Sequence, residues 1–283
     1  MRPADLPFTK VHGAGNDFVL LCDLEDALDL PPAAVRALCD RRRGIGGDGV
    51  IRVGAPRAGV DADVFMDYRN ADGSIAEMCG NGVRTVAKYV ADRGIVEGDV
   101  VRVDTRAGTK HVRCHRGSDG RVTGCTVDMG APVPGVVGEE LVLGDGSTVT
   151  VTTVSMGNPH AVIVVDDVAA APVHVVGPLL ERHEVFGEGT NVEFITVPDR
   201  GTVHGRIWER GVGETLASGT GGSAMAVAAA LVGLADREVD VHLPGGILTI
   251  AWTDETLFVT GPAVEVASGI VDETWWATAT GGT

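Results

Sequence analysis

Two short glycine-rich segments of this chain have the residue types with which a helix N-terminus binds anions. The first is MCGNGVR, residues 78–84, and the second is ASGTGGS, residues 217–223. In each, one polar or reactive side chain, Cys79 or Ser218, precedes a Gly-polar-Gly sequence. The first N–H groups of a helix lack intrahelical partners and lie at the positive end of its dipole. Both segments are therefore candidate anion sites.

Cys79 has the clearest chemistry of the residues in these segments. The dipole of a following helix stabilises a thiolate at its N-terminus, so Cys79 is a candidate nucleophile or general base. A purely structural role is the alternative, because glycine-rich turns before helices are common. The backbone N–H groups that could bind a substrate carboxylate belong to Gly80, Asn81, Gly219 and Thr220.

The elements that would position both segments are mostly β-strands. Short runs rich in Val, Ile and Thr, such as DFVLL, GVIRV and HAVIVV, are bounded by Gly, Asn, Asp or Pro. Helical periodicity is clearest in three places. These are PPAAVRALCDRR, an amphipathic run after Cys79 with one apolar face, and a run after Ser218 that is apolar on all sides and should be buried.

The order of these elements predicts an α+β protein with two related domains. Strands outnumber helices and do not alternate with them regularly, which argues against a doubly wound parallel sheet. The two helix starts divide the chain into halves of similar content. We expect an N-terminal half, residues 1–124, completed by a C-terminal strand at 268–283, and a second half, residues 125–267. Each half should be a mostly antiparallel sheet wrapped around one central helix.

Composition and charge indicate which classes of binding partner and which cellular location to expect. The net charge is −16, which argues against nucleic acid or an anionic membrane as partner, because binding phosphates requires a basic surface. No segment resembles a signal peptide or a membrane span, so a cytoplasmic location is expected. The five cysteines lack C-x-x-C spacing and predict neither a disulfide framework nor a zinc site.

The ordered motifs of the chain resemble those of the diaminopimelate epimerase family. They are FTKVHGAGNDFVLL, GIGGDGV, FMDYRNADGSIAEMCGNGVR, GNPH, NVEF, WERGVGETLASGTG and LPGG, which span residues 8–246. The resemblance implies two pseudo-symmetric domains and a homodimer. It also implies interconversion of LL- and meso-diaminopimelate without a cofactor, in lysine and peptidoglycan-precursor synthesis. One acid/base residue from each glycine-rich segment would act on opposite faces of the α-carbon.

The resemblance assigns roles residue by residue. Cys79 matches one catalytic cysteine, and Ser218 occupies the position of the other. The N–H groups of Gly80, Asn81, Gly219 and Thr220 would bind the α-carboxylate. The positions that match those reading the distal end of the substrate are Asn16, Asn70, Asn158, Asn191, Glu209 and Arg210. His160 and Glu209 match residues thought to tune the acidity of the two thiols.

Ser218 departs from the family pattern, which has cysteine at this position. A serine hydroxyl is far less acidic than a thiol and supplies almost no anion near neutral pH without an adjacent base. The serine is explained by an engineered substitution, by a natural variant with impaired or altered chemistry, or by an enzyme in which serine works with help. Alternative functions are a one-base dehydratase or isomerase of a related amino acid and a non-catalytic amino-acid binder.

Overall fold

A computed structural model describes residues 6–280, which divide into two compact units. Unit 1 comprises the chain up to residue 127 together with the chain from residue 261 onward, and unit 2 comprises residues 128–260. The last part of the chain thus returns to the unit in which the chain began. Within residues 6–280, no helix is both long enough and apolar enough to cross a membrane.

Unit 1 begins with nine elements. They are β1 (Leu6–Gly13), β2 (Asn16–Cys22), α1 (Pro32–Cys39), β3 (Gly49–Gly54), β4 (Val64–Asn70), α2 (Gly80–Asp92), β5 (Val100–Asp104), β6 (Lys110–Arg116) and β7 (Val122–Gly130). Along this series, β1 and β2 pair antiparallel, β2 and β3 parallel, and β3 and β4 antiparallel. The next pairs are β4 with β5, parallel, then β5 with β6 and β6 with β7, both antiparallel.

The elements that follow are β8 (Val133–Pro134), β9 (Glu139–Val142), β10 (Thr148–Ser155), β11 (Pro159–Val164), α3 (Val173–Glu181), a 3-10 helix (Glu184–Phe186), β12 (Asn191–Asp199), β13 (Thr202–Glu209), β14 (Gly213–Thr215), α4 (Gly219–Leu231), β15 (Glu238–Leu243), β16 (Gly246–Trp252) and β17 (Leu257–Pro262). From β10 onward they repeat the pairing senses of unit 1. Strands β10 and β11 pair antiparallel, β11 and β12 parallel, and β12 and β13 antiparallel. Strand β13 then pairs parallel with β15, and β15–β16 and β16–β17 are antiparallel. The repeated series confirms the predicted α+β fold with two related halves.

The end of the chain differs from the expected strand at 268–283. Strand β18 (Val264–Val271) pairs antiparallel with β1, but it ends at Val271 and is followed by helix α5 (Glu273–Ala279). The Asp272 side chain caps this helix by accepting a hydrogen bond from the N–H of Trp275 at 2.8 Å. Trp276 is buried in a core cluster that includes residues of β1 and α1. Residues 281–283 lie outside the described part of the chain.

The three predicted helices, α1, α2 and α4, lie at the expected positions, with one correction, whereas α3 and α5 were not predicted. Helices α1 and α4 have the buried faces that their sequences predict. The expected polar face of α2 is wrong, because Asn81, Arg84 and Lys88 are buried along with the apolar residues. Burial of a charge is tolerated when it is hydrogen-bonded. The Lys88 ammonium donates to the Asp92 carboxylate at 2.7 Å, and the Arg84 guanidinium donates to Asn81 Oδ1 at 2.6 Å.

Candidate active site

The thiol of Cys79 caps the N-terminus of α2. Its Sγ accepts a hydrogen bond from the N–H of Gly82 at 3.4 Å, and its backbone is extended. Glycine at position 82 avoids a close contact, since a Cβ there would lie 2.9 Å from Ile51 Cδ1, which would have to shift. Cys79 itself is only half-buried. The first turn of α2 therefore presents a thiol, together with the N–H groups of its first residues, at a point where the thiol is accessible.

Around this thiol lies a hydrogen-bonded group that we call the Cys79 cluster, comprising Cys79, Asn16, Asp48, Asn81 and Arg84. Asn16 Oδ1 lies 3.6 Å from Sγ and also accepts a hydrogen bond from the Asn81 amide at 3.2 Å. The Nδ2 group of Asn16 donates to Asp48 Oδ2 at 2.7 Å. Because each end of the Asn16 amide has its own partner, its oxygen is held toward the thiol.

Arg84 brings a positive charge to this cluster from the interior of unit 1. The side chain is fully buried, and burial lowers the pKa of Arg84 to about 10, so it remains charged at neutral pH. One of its nitrogens donates to the Gly80 carbonyl at 3.2 Å. A positive charge in the first turns adds to the helix dipole and favours negative charge at the α2 N-terminus. Sequence analysis did not select Arg84, although it ends the MCGNGVR segment.

Ser218 caps α4 in the same way that Cys79 caps α2. Its Oγ accepts a hydrogen bond from the N–H of Gly221 at 3.2 Å, and its backbone is also extended. A Cβ at Gly221 would lie 2.3 Å from Ile207 Cδ1, a closer overlap that the Ile207 side chain would have to move to relieve. The Thr220 hydroxyl lies 3.4 Å from Oγ. In contrast to Cys79, Ser218 is buried.

A buried histidine and glutamate lie near the first turn of α4. His160 Nδ1 is 2.6 Å from Glu193 Oε1, and His160 Nε2 is 3.0 Å from Asn158 Oδ1. A Cβ at Gly221 would be 3.2 Å from Glu193 Oε1, which places the carboxyl group against the helix start. Burial raises the pKa of Glu193. We call Ser218, Asn158, His160 and Glu193 the Ser218 cluster.

Glu193 was missed by sequence analysis although NVEF was among the motifs that carried the family resemblance. A signal was present: Glu193 is the one charged residue within the apolar β-type run NVEFITV. Strands β11 and β12 are parallel neighbours, and His160 is aligned with Asn191. Only this register brings His160 and Glu193, which are 33 positions apart in sequence, into contact.

The residues expected to read the distal end of the substrate lie at several points within each unit. In unit 2, Asn191 donates to the Pro159 carbonyl at 2.9 Å and accepts from the Arg210 N–H at 3.0 Å. The Arg210 side chain is exposed, and the neighbouring Glu209 carboxylate accepts a hydrogen bond from the Thr215 hydroxyl. In unit 1, Asn70 ends β4, and its amide donates to the Ser74 hydroxyl at 3.0 Å. Their assigned roles remain predictions.

Comparison with known proteins agrees with this arrangement. A family model described as "Diaminopimelate epimerase" matches residues 8–134 and 152–266. A diaminopimelate epimerase from Moorella thermoacetica is 47% identical over 277 residues, covering 93% of this chain and 98% of that protein. One from Heliobacterium modesticaldum is 45% identical, covering 93% of this chain and 99% of its relative. The crystal structure of a hydroxyproline epimerase from Agrobacterium vitis has a TM-score of 0.74 at 15% identity, covering 96% of this chain and 94% of its own.

The duplicated α+β fold is shared with the hydroxyproline epimerase, and the family model together with the curated relatives makes this chain an isomerase of the cofactor-independent epimerase class. The structural likeness, at 15% identity, supports the fold alone. The sequence matches go further, because they cover nearly the whole chain at 45–47% identity. The chain belongs to the diaminopimelate epimerase family.

Proposed function

We propose that this protein interconverts LL- and meso-diaminopimelate by proton transfer without a cofactor, and that Ser218 makes its turnover low. The reaction would serve lysine and peptidoglycan-precursor synthesis. The observation that carries this proposal is the equivalence of Cys79 and Ser218. Each is the N-cap of the helix that follows the fourth strand of the repeated series, and each accepts a hydrogen bond from the N–H three residues later.

In a two-base mechanism, one group removes the α-hydrogen while the other delivers a proton to the opposite face of the carbon. Cys79 would be one of these groups, and the residue at position 218 the other. The negative charge that develops on the substrate carboxylate would be stabilised by N–H groups whose orientation is set before reaction. The groups proposed for this are those of Gly80, Asn81, Gly219 and Thr220.

The remaining assignments concern the rest of the substrate. We propose that Asn16, Asn70, Asn158, Asn191, Glu209 and Arg210 contact its distal amino-acid end. His160 and Glu209 would tune the acidity of the proton-transferring groups. His160 lies beside Glu193, whose pKa is raised by burial, and this supports a role for the pair in proton chemistry, because titratable groups with shifted pKa values concentrate at functional sites. A homodimer is expected from the family resemblance and is testable by sedimentation.

Serine at position 218 separates proton removal from inversion. A thiolate at Cys79 would still remove the α-hydrogen that faces it and return a solvent proton to the same face. Inversion needs a proton from the second group, and a serine hydroxyl near neutral pH is a poor acid and a poor base. The protein should therefore exchange the α-hydrogen of one isomer with solvent faster than it inverts the carbon.

This expectation is tested by incubating each diaminopimelate isomer with the protein in deuterated water. Deuterium should enter one isomer with little inversion, and Cys79→Ala should abolish the exchange. Ser218→Cys should raise the inversion rate by about 100-fold or more, the usual contribution of one general acid or base. Rapid inversion by the unaltered protein would contradict the assigned effect of Ser218. Binding without exchange would favour an amino-acid binder, and product formation from another amino acid would favour a one-base enzyme.

A further inference from the structure

The surroundings of Glu193 suit a neutral carboxyl group better than a charged one. Glu193 and His160 are 0% and 1% exposed. Oε1 has a close partner in His160 Nδ1 at 2.6 Å, whereas Oε2 is buried and has no hydrogen-bond partner among the residues that the structure describes. A buried, negatively charged carboxylate oxygen without a hydrogen-bond donor costs free energy, because a charge removed from water needs hydrogen bonds to replace its hydration. The carbonyl oxygen of a neutral acid loses less when it is left unpaired.

The position of the proton follows from this difference. In a neutral acid the Oε1–H group donates to His160 Nδ1, and Oε2 is the carbonyl oxygen. The pKa of Glu193 is raised by burial, which agrees with this assignment. A neutral imidazole that accepts at Nδ1 must carry its hydrogen on Nε2. His160 Nε2–H then donates to Asn158 Oδ1, the atom 3.0 Å away.

This chain of donors determines the orientation of the Asn158 amide. Asn158 lies in the short turn between β10 and β11 and is half-buried. With Oδ1 accepting from His160, the Nδ2 group is turned away from the ring and remains a donor. A donor at this position suits the carboxylate of an amino-acid ligand, because a carboxylate only accepts hydrogen bonds. If the neutral imidazole carried its hydrogen on Nδ1 instead, Asn158 would donate to Nε2 and would present its oxygen toward a ligand.

We propose that Glu193 is a positioning residue, a buried neutral acid that fixes the His160 tautomer and thereby makes Asn158 a hydrogen-bond donor toward the substrate. The role of Asn158 rests on the proposed function, whereas the proton arrangement of Glu193 and His160 does not. In this role Glu193 acts through His160 and Asn158 rather than on the reacting carbon. Its effect should appear in substrate affinity and in the ring protonation of His160.

Two substitutions of similar size distinguish a neutral acid from a carboxylate. Glu193→Gln retains a neutral group that can donate to Nδ1, whereas Glu193→Met removes all hydrogen bonding. We expect the dissociation constant for meso-diaminopimelate, measured by calorimetry, to stay within about twofold in Glu193→Gln and to rise about tenfold in Glu193→Met, the effect of one lost hydrogen bond. When each substitution is combined with Ser218→Cys, KM should rise more in Glu193→Met than in Glu193→Gln, while kcat changes little in either. Equal weakening in both variants, or in neither, would overturn the proposal.

Nitrogen-15 NMR of the histidine rings gives a second readout, with the His160 signals assigned from their loss in His160→Gln. We expect a protonated Nε2 and an unprotonated Nδ1 in the unaltered protein and in Glu193→Gln. A doubly protonated ring, or a proton on Nδ1 alone, would overturn the proposal even if Glu193→Met failed to fold. If the unaltered protein did not bind diaminopimelate, the proposed function would fail, while the NMR result would still decide the protonation of this pair.

Discussion

At the scale of single residues, the orientation of the Asn16 amide decides what the Cys79 thiol meets. The amide oxygen lies 3.6 Å from Sγ, and a hydrogen-bond acceptor this close favours the protonated thiol over the thiolate. Asp48 and Asn81 hold that orientation together, because Asp48 accepts from Nδ2 at 2.7 Å and the Asn81 amide donates to Oδ1 at 3.2 Å. The helix dipole and the buried charge of Arg84 act in the opposite direction. The reactivity of Cys79 therefore depends on these opposing effects, and the Asp48 carboxylate influences it through the orientation of Asn16.

Asp48→Asn should make Cys79 more reactive. An asparagine at 48 no longer requires the Asn16 amide to keep its Nδ2 group there, so only the Asn81 hydrogen bond opposes a turn of the amide that lets it donate to the thiolate. We expect alkylation of Cys79 by iodoacetamide, quantified by mass spectrometry at pH 7, to accelerate about three- to tenfold. Asp17→Asn is the matched control, because Asp17 pairs with the same Arg41 but has no hydrogen bond to Asn16. An equal acceleration in the control would refute the amide explanation.

At the scale of elements, helices α2 and α4 begin in the same way because both are packed against a strand in their first turn. The third residue after each cap, Gly82 or Gly221, lies so close to an isoleucine that no Cβ fits without movement. In α4 the same residue also borders the Glu193 carboxyl group. Packing therefore favours glycine at positions 82 and 221, in addition to the access that glycine gives a ligand to the backbone N–H groups.

Adjacent glycines in α4 offer a direct comparison. Gly221→Ala should destabilise the protein by about 1–3 kcal/mol through overpacking against Ile207. At Gly222 the nearest atom to an added Cβ is Leu248 Cδ1 at 3.3 Å, a contact that a small shift relieves. Gly222→Ala should be neutral or stabilising by up to about 1 kcal/mol, because alanine favours a helix over glycine. Free energies of unfolding from urea titrations measure both, and similar losses at both positions would contradict the packing argument.

At the scale of the whole molecule, the two units differ in how many of their carboxyl groups have shifted pKa values and in the direction of those shifts. In unit 1, burial opposes ionisation of most of these groups, but hydrogen bonds from arginine, lysine or backbone N–H groups outweigh it. The pKa of Asp17 falls to about 2, and the pKa values of seven other carboxyl groups in this unit are lowered, those of Asp23, Asp40, Asp63, Asp67, Asp72, Asp92 and Asp104. In unit 2, hydrogen bonds from Arg206 lower the pKa of Glu214 and hydrogen bonds from Ser147 lower that of Asp145, whereas burial raises the pKa of Glu193.

Acid should therefore destabilise unit 1 before unit 2. A carboxyl group whose pKa is lower in the folded state stabilises the fold above its unfolded pKa, about 4, and loses this contribution as the pH falls through the folded value. For Asp17 that window extends from about 4 to about 2. The raised pKa of Glu193 acts in the opposite direction, since the folded state retains its proton more tightly. Pulse-labelling hydrogen exchange after equilibration at pH 7, 4 and 3 should show earlier loss of protection in unit 1, and simultaneous loss would contradict this.

The local features of this protein could be predicted from the order of its residues. Glycine spacing and the polar residue before it predicted both helix starts, because capping and the first helical turn depend on neighbouring residues. The apolar run after Ser218 predicted the buried helix α4. Tertiary structure decided the contacts between residues far apart in sequence, namely Glu193 with His160 and Asn16 with Cys79. It also decided the burial of Arg84 in α2, because strand register and the packing of a sheet around a helix are not encoded in any one segment.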